Sequence, residues 1–278
     1  MTQRIIVAYD GSDLSRQAFA DAVTLAEAVG ARVVGLHVLE PVPPPIVAES
    51  MAGIDAAPAL AEFDEAARRD EQAERQRFER EFDELRETCA KRGVPFEPTI
   101  EVGLLIPALV GLAGGEDVIA IGMKGRFARA GLGSSAKALI KKAPCPVLIA
   151  SGPARPIDRV LAVFDGSAVS KRALAEGRRL AQRSGWPLTV LAASSPGVTL
   201  DEARDQAQRL AEGAPVVSSG AEGRSEAEQI EEAVRHAGAA ILVMGAYPDS
   251  WLHQLFFGFG GTTAHVLGRV GAPMLMVH

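Results

Sequence analysis

The sequence predicts an α/β fold in two tandem domains, each a five-stranded parallel sheet with helices on both faces. Three observations carry this. Short, near-continuous apolar runs such as RIIVAY and DVIAIG alternate with segments whose apolar residues recur at helical spacing. That is the pattern of strands covered on both sides. The same order of elements occurs twice along the chain, and a length of 278 residues suits two domains of ordinary size.

The duplication is visible residue by residue. IIVAYDGSDLSRQAF, from Ile5, and VLAVFDGSAVSKRAL, from Val160, share Asp10/Asp165, Gly11/Gly166, Ser12/Ser167, Ser15/Ser170 and Ala18/Ala173. VIAIG ending at Gly122 is echoed by ILVMG ending at Gly245, and Pro146-VLIA by Pro273-MLMV. Three matches in one order mark an internal repeat. The domains fall at 1–152 and 157–278, and the seam SGPARPID (151–158) reads as a short linker. Between its Asp and its Gly the first copy is longer by 32 residues, which fall in EPVPPPIVAESMAGIDAAPAL and the charged helix after it. The second copy's glycine segment is longer by four.

In chain order, RIIVAY is the first strand, and Ser12 is placed to cap the helix whose stripe is Ala18, Ala22, Leu25, Ala26 and Val29. ARVVGLHV is the second strand. Phe78, Phe82, Leu85 and Cys89 mark the buried stripe of a long helix whose Glu and Arg residues read as a solvated face. VPFEPTIEV, with its prolines, is a strand near an edge. Leu104–Leu112 is a short helix, DVIAIG a strand, Ser134–Lys142 a helix and PVLIA the closing strand. The second copy repeats this order. Such alternation gives right-handed crossovers and a parallel sheet.

Composition excludes several classes of function. The net charge is −6 and no Lys/Arg cluster suggests a basic face, which argues against nucleic acid as partner. No apolar run approaches the roughly 18 residues of a membrane span, and MTQRIIVAYDGSD resembles neither signal peptide nor anchor. The expectation is a cytoplasmic protein. Cys89 and Cys145 lack CxxC spacing and read as structural thiols, and the five histidines show no metal-ligand spacing, so no metal site is expected.

Ligands of such sheets bind beyond the carboxyl ends of the strands, near the switch in strand order. Asp10, Val38 and Gly122 each lie at or just past the end of a strand and would share one edge. A carboxylate there can accept from a sugar diol and exposed main chain can read a base. Glycines followed by a helix start can offer N–H groups to phosphate. On these motifs the chain resembles tandem universal stress proteins over nearly its whole length. The resemblance implies two Rossmann-like domains of the adenine nucleotide alpha hydrolase-like type, packed as an intrachain pseudo-dimer, with a homodimer as a further expectation.

The resemblance further implies ATP or a related adenine nucleotide as ligand, with Mg²⁺ as its companion ion, and a regulatory role in stress adaptation. Nucleotide-binding members carry an Asp after the first strand, a Val after the His of a second-strand LHV, and a G-x2-G-x9-G-[ST] loop. Carried over, Asp10 meets the ribose, Val38 (after His37) the adenine, and Gly122, Gly125, Gly133, Ser134 and Ser135 the phosphates. Seven residues, not nine, separate Gly125 from Gly133.

The second copy departs further. Asp165 is kept, Ala193 stands in place of Val38, and Pro248 replaces the second glycine and removes a donor. Gly245 and Gly258 fit the pattern, but Phe259 follows Gly258; Gly260, Gly261 and Thr262 restore the chemistry only with a longer arm. Nucleotide is therefore expected mainly in the first domain.

Plainer readings stand beside these. Asp10-Gly-Ser also suits a capped strand-to-helix turn, Ser134 and Ser135 suit capping residues, and His37 a strand residue without a ligand role. WLHQLFF offers a lipid or partner surface, with packing on the neighbouring domain as its plainer reading. GLGSSA matches GxGxxA but lies late in its domain, and a Walker loop is absent. No enzymatic activity is expected. A surface-acting scaffold without nucleotide and a slow ATPase are the alternatives.

Overall fold

In the computed structural model the described residues are 3–41, 57–124, 133–152, 156–195, 197–218, 232–236, 241–246 and 271–278. The first half comprises β1 (Arg4–Ala8), α1 (Asp13–Val29), β2 (Arg32–Leu39), α2 (Ala57–Lys91), β3 (Phe96–Val102), α3 (Leu105–Leu112), β4 (Val118–Gly122), α4 (Ser134–Lys142) and β5 (Val147–Ala150). The second comprises β6 (Val160–Phe164), α5 (Ala168–Ser184), β7 (Leu188–Ala192), α6 (Leu200–Leu210), β8 (Val216–Ser218), β9 (Ile241–Gly245) and β10 (Met274–Val277), with helical backbone also at 232–236.

Within each half the paired strands are all parallel, in mirrored orders, and the two five-stranded sheets fuse into one sheet of ten: β3-β2-β1-β4-β5-β10-β9-β6-β7-β8. The join is the one antiparallel pairing among the described strands, Met274 with Ile149, Leu275 with Leu148 and Met276 with Val147. β3, the strand with prolines, lies at the outer edge, where a missing N–H costs no ladder bond.

Alternation along the strands divides the core into two sides. Ile6, Val34, Ile119, Ile149, Leu242 and Met274 lie on one side, which α3 and α4 cover in the first half. Ile5, Val7, Ala120, Leu148, Val243 and Leu275 face the other, where Ala22, Phe82 and Leu180 of α1, α2 and α5 cover them. Both sides run unbroken across the β5–β10 seam.

The helix ends follow from local chemistry. Ser12 caps α1 by accepting from the Ser15 N–H, and Gly30 ends it in the left-handed conformation at φ 66°. Ser167 and Gly185 do the same for α5. The size difference between the halves sits between the second and third strands, where α2 has 35 residues and α6 only 11. Phe78, Phe82 and Cys89 are at most 1% exposed and dock α2 on the sheet. Gly35 makes room for this, because a β-carbon there would come within 2.8 Å of the Phe96 ring and 3.1 Å of Phe82. Both cysteines are buried, and burial raises the Cys89 thiol to about 11 and the Cys145 thiol to about 12, so both remain protonated and unreactive.

Candidate functional site

β1 and β4 are adjacent, and from them the chain winds outward in both directions, so the switch in strand order lies between their carboxyl ends. A cleft of about 560 Å³ opens there, lined by Asp10, Val38, Gly122, Lys124, Gly133, Ser134 and Ser135 among others. Six of the seven residues that the sequence assigns to the first site therefore meet in one cavity. Gly125 lies outside the described residues.

Asp10 follows β1 directly. One carboxylate oxygen accepts from the Ser12 N–H at 2.9 Å, closing a turn in which Gly11 takes φ 72°. The turn role is thus present, and the same residue lines the cleft. Gly122 is a packing glycine: a β-carbon there would lie 2.8 Å from Leu14 Cβ and 2.9 Å from its carbonyl carbon. Its counterpart Gly245 meets Val169 in the same way, at 2.7 Å. Each lets the helix after the first strand cross its neighbour closely.

The start of α4 corrects the capping reading of the two serines. Gly133 occupies the N-cap position, with φ −62° and ψ 157°, and no side chain caps the helix. Gly133's own N–H donates to the Met123 carbonyl at 2.8 Å, which ties the end of β4 to the helix start. The amides that an α-helix leaves without intrahelical partners are then those of Ser134, Ser135 and Ala136, all on the cleft wall.

The opposite wall includes residues the sequence reading did not select. His37 is 5% exposed and its Nδ1 lies 2.9 Å from the Tyr9 carbonyl, with its ring stacked on Phe78 at 17° between planes. Burial lowers its pKa, against the raising effect of the Tyr9 carbonyl. Its Nε2 is 3.4 Å from Glu74 Oε1, within ion-pair reach but not in hydrogen-bonding alignment. Glu81 of α2 accepts from the Tyr9 hydroxyl (3.1 Å) and Arg77 (3.0 Å), with Arg16 at 3.5 Å, and this group sits over Gly11. The Tyr9 hydroxyl, buried in this cluster, is raised to about 12. The charged face of α2 is therefore not wholly solvated. Glu74 precedes Phe78 by one helical turn, as Phe78 precedes Phe82, and that phase is the sequence signal that places it on the inward stripe.

The charges of the lining follow the strand order: Glu40 follows β2 and Glu74 stands beside His37 of that strand, Asp10 follows β1, and Lys124 follows β4 on the side of the α4 start. Such a cavity orients a ligand that carries anionic oxygens at one end and hydrogen-bond donors at the other. Among the described residues no group of three or more His, Cys, Asp or Glu side chains is placed to hold a metal ion.

The second half is built differently at the matching place. Asp165 keeps its turn, accepting from the Ser167 N–H at 2.9 Å, but it is wholly buried and its Oδ2 has no hydrogen-bond partner. Ser195 and Val198 pair through their backbones, and the Ser195 hydroxyl donates to the Asp165 carbonyl. Val198 presses on Gly166, where a β-carbon would lie 2.9 Å from Val198 Cγ1. Ala193, in the place of Val38, is 3% exposed. Pro248, Gly258, Gly260, Gly261 and Thr262, like WLHQLFF, lie outside the described residues.

A doubly wound α/β unit, present twice in one chain and carrying in its first copy a cleft at the strand-order switch, is the class that fold and site define. The chain belongs to the universal stress protein family, whose model matches residues 1–151 and again 156–278. It is 36% identical over 154 residues to a universal stress protein of Thermus aquaticus, over 54% of this chain and 98% of that protein. To one of Synechocystis it is 28% identical over 189 residues, over 63% of this chain and 62% of that protein. The solved structure of a universal stress protein from Archaeoglobus fulgidus has the same fold, with a TM-score of 0.66 at 20% identity over 98% of this chain and 95% of that one. Among the described residues no helix is long and apolar enough to cross a membrane.

Proposed function

We propose that the first half binds ATP or a related adenine nucleotide and that occupancy, rather than turnover, is its output in stress adaptation. One observation carries this reading: the cleft of about 560 Å³ at the β1–β4 switch, whose charges follow the strand order. Its volume lies within the usual range for a small-molecule site, roughly 300–1,000 Å³. In this reading the phosphates lie toward Lys124 and the amides of Ser134, Ser135 and Ala136, where helix-end donors and a cation favour anions. Asp10 accepts from the ribose, and the backbone at Val38 reads the base. Family membership supports adenine as that base. Mg²⁺ would accompany the phosphates as counterion. The second half is read as the partner that the first half is fused to, because its acid is buried beneath the Ser195–Val198 turn.

Nucleotide extracted from the purified chain, identified by mass spectrometry, tests occupancy directly. In titrations, Asp10→Ala should weaken ATP by about 1.5–3 kcal/mol, the usual worth of a hydrogen bond to a charged group. That is about 10- to 150-fold. Equal affinity in the variant would refute the ribose role, and a chain that takes up no adenylate would leave a scaffold acting through its surfaces. Phosphate release well above background, lost in Asp10→Ala, would replace the regulatory reading with a slow ATPase.

A further inference from the structure

The cleft wall holds an acceptor without a donor. The Tyr9 carbonyl can only accept, so the Nδ1 of His37 that faces it at 2.9 Å carries the proton. The neutral ring then presents Nε2 as a lone pair, on a side chain only 6% exposed and with no hydrogen-bond partner. The nearest polar atom is Glu74 Oε1 at 3.4 Å, a second acceptor. Two acceptors facing each other in a half-buried site gain nothing from one another, and a buried unsatisfied group costs about 1–3 kcal/mol. The Glu74 side chain is 49% exposed, so it can swing aside to admit a third group. The second half keeps no counterpart of the pair, because Ala192 stands in the place of His37.

We infer that His37 Nε2 and the Glu74 carboxylate form a two-acceptor pair that takes a hydrogen-bond donor from the nucleoside part of the ligand. This rests on the nucleotide reading above and adds to it the residues that discriminate among ligands. The pair fits an N–H or O–H group, which a nucleoside offers either as an exocyclic amino group or as a sugar hydroxyl. It rejects a ligand that presents a carbonyl or a bare C–H at that point, because the two acceptors stay unpaired.

The test uses the full chain with ATP, ITP (6-oxo in place of 6-amino), 2′-deoxyATP and 3′-deoxyATP, each titrated against wild type, Glu74→Gln and Glu74→Ala. Glu74 is half exposed, so the variants should keep the wild-type melting temperature. The expected result is that one analogue binds wild type about 10-fold or more weakly than ATP does. For that same analogue, removal of the Glu74 carboxylate should cost little further, whereas ATP loses a comparable factor. ITP in that role identifies the amino group, and a deoxy analogue identifies the hydroxyl. If ATP binds wild type and Glu74→Ala leaves all four affinities within about twofold, the pair reads nothing and the nucleotide reading stands alone. A uniform loss for all four also overturns it, since that marks a general field effect. Wild type that binds none of the four removes both readings together.

Discussion

Asp21 shows how a single side chain can set a pH dependence. It lies on α1, is 3% exposed, and accepts from Gln17 Nε2 at 2.7 Å. Burial raises its carboxyl to about 7, which the Gln17 bond only partly offsets. Between the unfolded value of 3.8 and about 7 the folded chain therefore holds a proton that the unfolded chain has lost. Stability is fully present below about pH 4, falls as pH rises through that window, and stays low above it, by on the order of 4 kcal/mol in total. His37 and His278 act oppositely, since burial lowers both and stability from them rises with pH toward 6.5. Comparing Asp21→Asn with wild type isolates the carboxyl. The variant should be more stable at pH 8 by nearly that full amount and about equal at pH 4, as read from urea midpoints at the two pH values. A difference independent of pH would contradict it. The same scale explains the glycines. Gly122 and Gly245 stand in the family's phosphate pattern, yet each is required by a helix crossing at under 3 Å from where its β-carbon would be.

The elements were largely legible before any coordinates, and the reasons are local. Near-continuous apolar runs, stripes of period 3.6 and Ser12 as a cap are decided within a few residues. The helix read over Ser134–Lys142 has those same bounds. Six of the seven residues assigned to the first site also meet in its cleft, because strand ends at a switch point must converge. What escaped depends on contacts distant in sequence: the fusion of two sheets into one, and the placing of α2's Glu74, Arg77 and Glu81 over the first cleft's turn. Gly35 is the hidden condition for that placement. Gly35→Ala would wedge a methyl beneath Phe96 and Phe82, an overpacking that should cost about 1–3 kcal/mol. Trimming the ring in Gly35→Ala/Phe96→Leu should recover part of the loss. If the single variant melts at the wild-type temperature, α2 is not docked as closely as these distances state.

At the scale of the whole molecule, the halves share one core. β5 and β10 pair across the seam, and both sides of the sheet join residues of the two repeats: Ile149 with Met274 and Leu242 on one, Leu148 with Leu275 and Val243 on the other. A half that unfolded alone would expose a strand edge and two apolar surfaces of its partner, so the two should melt together. Calorimetry is expected to give one transition whose calorimetric and van't Hoff enthalpies agree. Ligand bound only to the first half must then raise that single transition. On the proposed nucleotide reading, ATP at 100 times its Kd adds about 2.7 kcal/mol. At an unfolding entropy of roughly 2.1 cal/mol/K per residue, that shifts the midpoint by about 4–5 °C. The seam is tested by Leu275→Ala, which removes a side chain 2% exposed and should cost about 2–5 kcal/mol for the whole chain at once. Two resolved transitions, with ATP moving one and Leu275→Ala moving the other, would mean that the repeats fold independently and that occupancy of the first has no thermodynamic route into the second.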